Sequence, residues 1–497
     1  MDSTRHGLLL SPLLCSLGAS ACSGNPGGEA TDTANTDTAA SESASADDLT
    51  APGFVIDGAE VGDAIVAIPI EDVDGDGLGE LLINANRPLH PVAFLVFGKT
   101  DSEPVDLADV EAGISDAGIL LDVWDGETEF NHEHPAPKAV AVGDVNGDGL
   151  NDLGVALYSD TVARAHVVFG AADLPDPLDL PATAAGASGF TIDTSTDAVI
   201  EPSRELYGVG DVNGDGFDDL LLAQIGSFGD HYALLYGDPQ PIASDLADLE
   251  AGVGGVLLGT PYSARVLDPA DVNGDGYADV VYAEYGGPFE PEAYVLIRAG
   301  AQDFALDPAT TFVAVSSDLS DPIDFDSAAV GDLDGDGRAD VVIAASYYSD
   351  FPLTVFVVFG ATLSDSFYIL EAFPGHGYTV DLEGLDLEFS AYGRLPPIEG
   401  VRDIDGDGND ELLFRTTSGT YLLYGKADVS AQVLVDDGVH LDDLALGEYI
   451  GVVTGWGSVR GGAPTDLVIA APEASPAGRS GAGRAYVLFD ALAEDAG

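Results

Sequence analysis

Six stretches of this chain carry oxygen side chains at a spacing that suits a hard cation. The clearest is Asp271-Val-Asn-Gly-Asp-Gly-Tyr-Ala-Asp279; the others run Asp72 to Glu80, Asp144 to Asp152, Asp211 to Asp219, Asp332 to Asp340 and Asp403 to Glu411. Positions one, three, five and nine of each nine-residue loop hold the candidate ligands. These are Asp72, Asp74, Asp76 and Glu80; Asp144, Asn146, Asp148 and Asp152; Asp211, Asn213, Asp215 and Asp219; Asp271, Asn273, Asp275 and Asp279; Asp332, Asp334, Asp336 and Asp340; Asp403, Asp405, Asp407 and Glu411. Position six is always glycine: Gly77, Gly149, Gly216, Gly276, Gly337 and Gly408. Ca²⁺ takes about six to eight oxygens at about 2.3–2.6 Å, and only a sharp turn lets near neighbours in a chain all point inward. Glycine permits that turn because it tolerates positive φ.

The elements that must position these loops are strands. An EF-hand would need a bidentate Glu at position twelve and a helix behind it. Position twelve here is Ile83, Val155, Leu222, Tyr282, Ile343 or Phe414, none of which can ligate. Short apolar runs follow instead, such as Leu81-Leu-Ile83, Leu220-Leu-Leu222 and Val341-Val-Ile343. Runs of this length, bounded by Gly, Pro or polar clusters, read as buried strands. Each loop is therefore expected at the turn of a β-hairpin.

The loops begin at 72, 144, 211, 271, 332 and 403, so the steps are 72, 67, 60, 61 and 71 residues. Such a period over most of a chain signals a repeat architecture. A further step of 55 residues brings Ser458-Val-Arg-Gly-Gly-Ala-Pro-Thr-Asp466 and the run Leu467-Val-Ile-Ala-Ala471 into register. Ser458, Arg460 and Gly462 replace three ligands there, so the seventh copy is expected to be free of metal. A chain of 497 residues is too long for one apolar core, which stops growing near about 250–300 residues. Stacked repeats escape that limit.

Sixteen Lys and Arg against 87 Asp and Glu give a formal charge of −71. The six loops hold 21 carboxylates, and six Ca²⁺ would return +12, leaving −59 as surface charge. Such a surface argues against nucleic acid and against an anionic membrane as partners. Both cysteines, Cys15 and Cys22, lie in the first 22 residues, so no disulfide holds the fold. Residues 1–22 read as an export signal: Arg5 and His6, the apolar stretch Gly7 to Leu17, then Ala19-Ser-Ala21 before Cys22. The end resembles a bacterial lipoprotein lipobox, which implies lipidation of Cys22, although Ala19 stands where Leu is usual; the alternative is a secretory signal cut near Ala21. Residues 23–50 are Ser, Thr, Ala, Asp, Glu and Gly with almost no bulky apolar side chains, a disordered tether by composition.

The repeats occupy 51–492. After loop and strand comes an apolar strand that ends in Phe-Gly or Tyr-Gly, as in Ala93-Phe-Leu-Val-Phe-Gly98, Val167-Val-Phe-Gly170, Phe356-Val-Val-Phe-Gly360 and Tyr421-Leu-Leu-Tyr-Gly425. In the fourth unit Arg298 is read in place of this Gly, and in the seventh Asp490. Loop, strand and Phe-Gly strand in fixed order resemble the FG-GAP repeat, the unit of the integrin α-subunit β-propeller. The resemblance implies an all-β, seven-bladed β-propeller with Ca²⁺, about six ions, between the first and second strands of six blades. It also implies a backbone-carbonyl ligand at Leu78, Leu150, Phe217, Tyr277, Arg338 and Asn409. Phe54-Val-Ile56 would complete the last blade and close the ring.

No catalytic constellation stands out. His132-Glu-His134 lacks a defined third metal ligand, and Gly481-Ala-Gly483 lacks the lysine and the strand–helix setting of a phosphate loop. Function is expected on the loops that the scaffold displays. Tyr347, Tyr348, Phe228, Phe289 and Trp456 are candidates for an aromatic recognition patch, or for packing between blades. The expectation is a monomeric, exported binding or adhesion module, lipid-anchored at the cell envelope or else secreted, that recognises a surface protein or glycan. The alternative is an exported hydrolase or lyase acting on polysaccharide or phospholipid.

Overall fold

The apolar runs after the acidic loops are strands, and each is the second strand of a sheet whose first strand leads into the loop. The computed structural model describes residues 52–489 other than 86, 88–90, 125–137, 159–162, 185–187, 194–202, 225–230, 240–247, 250–251, 260–263, 268, 285–293, 302–309, 315–322, 348–353, 364–366, 369–374, 383–397, 402, 405, 417–418, 429–431, 434–438, 441–451 and 462–465. Cys22, the tether, His132-Glu-His134, Phe228, Phe289, Tyr348 and Asp490 lie outside the described residues.

The fold is all-β in a propeller arrangement. The described strands form seven sheets, each with an antiparallel core of four strands. The first joins Val66–Pro69, Leu81–Ala85, Val92–Val96 and Gly118–Asp122. The third joins Ser203–Gly210, Asp219–Gln224, His231–Leu235 and Gly255–Gly259. Six of the seven sheets take these four strands from one continuous stretch of chain, so counted as self-contained blades there are six, not seven. The last is composite. Val452–Gly457, Asp466–Ala471 and Arg484–Leu488 are completed by the N-terminal strand Gly53–Asp57, in antiparallel register from Gly53 opposite Leu488 to Asp57 opposite Arg484. That pairing is the one expected for Phe54-Val-Ile56.

Both faces of each sheet are covered, which is why the strands read as unbroken apolar runs. Side chains alternate between faces along a strand. Leu220 and Leu222 face the second sheet while Leu221 faces the fourth; Leu81 and Ile83 face the seventh while Leu82 faces the second. Apolar clusters of this kind fill the spaces between the seventh and first sheets, first and second, second and third, third and fourth, fourth sheet's Tyr282 with third sheet's Tyr232, and fifth and sixth; another joins the sixth to the seventh.

Four sheets carry a short fifth strand that the sequence reading missed. Val105–Asp106 runs parallel to the outer strand Gly53–Asp57, and Leu178–Asp179, Phe367–Tyr368 and Gln432–Val433 do the same on other sheets. Each comes from the connection between the third and fourth strands of the next sheet. It covers an outer edge that would otherwise present unpaired N–H and C=O groups. Among the described residues no helix is long and apolar enough to cross a membrane.

Candidate metal centres

Each acidic loop is a turn folded around its own first aspartate. Asp72 Oδ1 accepts from the Gly75 N–H at 2.6 Å, and Oδ2 from the Gly77 N–H at 2.9 Å. Asp144, Asp211, Asp271 and Asp403 repeat both bonds with the glycines at positions four and six. Two left-handed residues are therefore needed, not one: Gly75 has φ +81° and Gly77 +85°. The glycine at position four was missed, although it too is invariant among the six copies. The carboxylate or amide at position three accepts from the N–H at position five, as Asp74 does from Asp76 at 3.1 Å. The aspartate at position five accepts from position seven, as Asp275 does from Tyr277 at 3.1 Å.

The acid at position nine is buried. Glu80, Asp152, Asp219, Asp340 and Glu411 are fully covered and Asp279 is 1% exposed. The longer Glu80 and Glu411 thus occupy the same covered place as the aspartates. Each accepts from the N–H at position two, where an aliphatic residue (Val73, Val145, Val212, Val272, Leu333 or Ile404) is itself buried. This aliphatic plug is visible in every copy of the sequence and was overlooked.

The second oxygen of the position-nine acid explains the Phe-Gly ending. Asp152 accepts from Gly170, Asp219 from Gly237, Asp279 from Gly300 and Asp340 from Gly360, at 2.8–2.9 Å. A Cβ at Gly360 would stand 2.3 Å from the Ala339 carbonyl oxygen and 2.6 Å from that of Val272 in the preceding loop. Only glycine fits there. Gly300 fills this role in the fourth unit, so Arg298 does not replace the glycine; it ends the strand Tyr294–Arg298, opposite Val280. The expected substitution was a misreading of the frame by two residues.

Burial pushes these acids upward, with the neighbouring loop carboxylates adding to the effect: Glu80, Asp219 and Asp340 to about 8, Asp152 to about 7 and Asp279 to about 6. A cation between them would hold them ionised. Among the described residues three loops gather three or more carboxylate ligand atoms within 4.8 Å of one another: Asp72, Asp74, Asp76 and Glu80; Asp332, Asp334 and Asp340; Asp403, Asp407 and Glu411. Asp405 lies outside the described residues, and Asp336 is outside its group. The loops at 144, 211 and 271 carry the neutral Asn146, Asn213 and Asn273 at position three and form no such group. The donor set of the first loop fits a hard divalent ion: Glu80 Oε1 is buried with no hydrogen-bond partner, beside three more carboxylates.

The loops are also chained to one another. The N–H at position eight donates to the position-one carbonyl of the preceding loop: Asn151 to Asp72, Asp218 to Asp144, Ala278 to Asp211, Ala339 to Asp271 and Asp410 to Asp332, at 2.6–3.1 Å. The Gly79 N–H donates to the Ser458 carbonyl at 2.8 Å, which joins the first loop to the seventh in the same way. Position seven, where a carbonyl ligand was expected, sends its side chain to the preceding loop. Phe217 lies against Gly147, Tyr277 against Gly214, Arg338 against Gly274 and Asn409 against Gly335; Leu150 and Leu78 approach Gly75 and Gly461 in the same way.

Together these features define an all-β propeller with an acidic turn in the first hairpin of six sheets. Residues 271–343 match the family model of the FG-GAP-like repeat. The matched stretch runs from the fourth acidic loop into the second strand of the fifth sheet. The chain thus carries an FG-GAP-like repeat within a propeller-like arrangement of sheets, a fold that suggests a binding or adhesion-type module.

Proposed function

We propose that this chain is a calcium-stabilised binding module: a β-propeller, exported, anchored at the cell surface through a lipidated Cys22, and recognising a surface protein or glycan with the loop face opposite the acidic turns. The observation that carries this reading is the contrast between the two ends of the strands. At one end the acidic loops are nine residues long in every copy and are tied to each other. At the other, the connection between second and third strands varies from two residues after Thr416 to twelve after Ala471. A fixed scaffold with variable opposite loops is the arrangement in which recognition is separated from stability.

Ca²⁺ would be held by the side chains at positions one, three, five and nine, and the ion would neutralise carboxylates that otherwise repel each other. Its binding free energy then adds to folding free energy. The seventh copy takes no ion. The module acts as a monomer, its only link to a membrane the lipid on Cys22. The test is a glycan and surface-protein array probed with the exported protein, with calcium and with chelator. Selective binding that chelation abolishes supports the reading; no ligand in either class overturns it. Intact-mass analysis that finds an unmodified amino terminus near residues 20–30 would remove the lipid anchor and leave secretion.

A further inference from the structure

The seventh loop keeps the buried acid of the other six but has lost the acids that would share a cation with it. Asp466, at position nine, is 1% exposed, as covered as Asp279. Ser458 and Arg460 stand at positions one and three. The Arg460 guanidinium turns back onto Asp466: Nε donates to Oδ1 at 2.9 Å and Nη2 lies 2.8 Å from the same oxygen. The Arg460 backbone N–H donates to Oδ2 at 3.1 Å. Its Cζ sits 4.6 Å from the centroid of the Phe489 ring, which in turn lies 5.9 Å from that of Phe54 in the N-terminal strand.

At its described positions the loop otherwise retains the frame of the acidic loops. Gly461, at position four, has φ +75°, Val459 is the buried plug at position two, and Ser458 accepts the inter-loop bond from Gly79. What has changed is the source of positive charge. We infer that Arg460 is a tethered cation: it supplies to the seventh loop the charge that a divalent ion supplies elsewhere, and so makes the composite sheet where the ring closes independent of metal.

The location gives this a physical purpose. Only in the composite sheet do the two ends of the propeller chain meet, and no covalent connection backs the pairing of Gly53–Asp57 with Arg484–Leu488. A dissociable ion there would let the ring open whenever metal ran short. Arginine is charged at every physiological pH and cannot leave. The same seam collects further arginines: Arg484 Nε lies 2.6 Å from Asp57, Arg479 Nη2 2.9 Å from Asp106 on the edge-covering strand, and Arg87 pairs with the buried Asp63 at 2.8 Å. Four of the 16 basic residues in the chain thus lie at this seam.

The inference rests on the cation reading of the other six loops, and the test keeps the two apart. Backbone amide exchange is followed in the full chain with Ca²⁺ and with chelator. Strands Gly53–Asp57, Asp466–Ala471 and Arg484–Leu488 should keep their protection within about twofold on chelation, while Asp219–Gln224 and Asp340–Tyr347 lose about tenfold or more. Arg460→Gln in calcium should speed exchange in the composite sheet alone by about tenfold, with Arg460→Lys intermediate. The triple change Ser458→Asp, Arg460→Asp, Gly462→Asp should add one bound Ca²⁺ and make protection of the seam calcium-dependent. Loss of seam protection in step with the other sheets on chelation overturns the inference, as does Arg460→Gln with unaltered seam exchange. Should Arg460→Gln fail to fold, the unmodified chain and the triple variant still decide. Absence of bound Ca²⁺ in the unmodified protein would sink the metal reading of the six loops by itself, while the seam response to Arg460→Gln would still decide the role of the arginine.

Discussion

Asp340 and Asp466 occupy the same place in their sheets, ninth in the loop and first in the second strand, and each is covered to 1% exposure or less. Around Asp340 stand two more carboxylates, Asp332 and Asp334, and it is pushed up to about 8 by burial first and by those neighbours after it. Around Asp466 stands a guanidinium. A covered carboxylate that stays ionised needs a counter-charge in either case, because an unpaired buried charge is strongly destabilising. On the function proposed above, the six acidic loops leave that charge to a mobile ion, so their stability depends on the medium, whereas the seventh builds it in. The comparison teaches that one backbone frame, with its aliphatic plug, its glycine at position four and its inter-loop bond, serves both solutions.

The comparison is broken or sharpened first by removing metal. Chelation should lower the melting temperature of the propeller by roughly 15 °C or more, since several sites each contribute about 3 kcal/mol when ligand exceeds its Kd by a hundredfold. Molar sodium chloride should restore part of the loss, as the Debye length falls to about 3 Å at 1 M. An unchanged melting temperature would mean that the acidic loops are not structural.

A pH series in chelator is the next test. The unfolded acids titrate at 3.8 for Asp and 4.5 for Glu, whereas Glu80, Asp219 and Asp340 are raised to about 8. Between those values the folded protein holds protons that the unfolded chain has released, so metal-free stability falls as pH rises through about 4 to 8. The melting temperature in chelator should therefore be higher at pH 5 than at pH 8, and calcium should reverse the order by displacing the protons. A chelated protein that melts at the same temperature at both pH values would contradict the burial of these acids.

Gly360→Ala places a Cβ 2.3 Å from the Ala339 oxygen and should cost about 3 kcal/mol through a forced backbone shift. Gly216→Ala meets nothing within 4 Å at φ +92° and should cost only about 1–2 kcal/mol. Denaturant titration separates the two, and equal costs would mean that the Phe-Gly glycine is not the junction between loops. The smallest effect is expected of Asp275→Ala. It should reduce bound calcium by one and leave the neighbouring sites filled, with a fall of a few degrees in melting temperature. Metal analysis of dialysed protein checks this, and loss of several ions at once would show that the inter-loop bonds couple the sites.

Much of this was legible because the chemistry is local. Positions one to nine lie on one short turn, so spacing alone exposed the oxygens and the glycine at position six. The apolar runs revealed the strands because both faces of each sheet are covered. Less local features escaped. The frame of the fourth unit slipped because Tyr294-Val-Leu-Ile297 resembles the other strand endings, and its register is set by the pairing of Val280 with Arg298 and the bond from Gly300 to Asp279. The edge-covering strands, such as Val105–Asp106, are two residues long and carry no periodicity to read.

The sequence by itself determined the repeat, the hairpin turns and the strand character, since each follows from residue type and spacing within a unit; the closure through Phe54-Val-Ile56 was implied only by the resemblance to the FG-GAP repeat. Tertiary structure alone decided what lies between units. It put the position-eight N–H on the preceding loop's carbonyl, laid Tyr277 against Gly214, and set the Phe-Gly glycine between two loops. It also turned Arg460, which in sequence is only a lost ligand, onto Asp466. The physical reason is that these contacts depend on how one repeat stacks on the next and on which way a long side chain turns, and neither is encoded in the spacing of residues along a single loop.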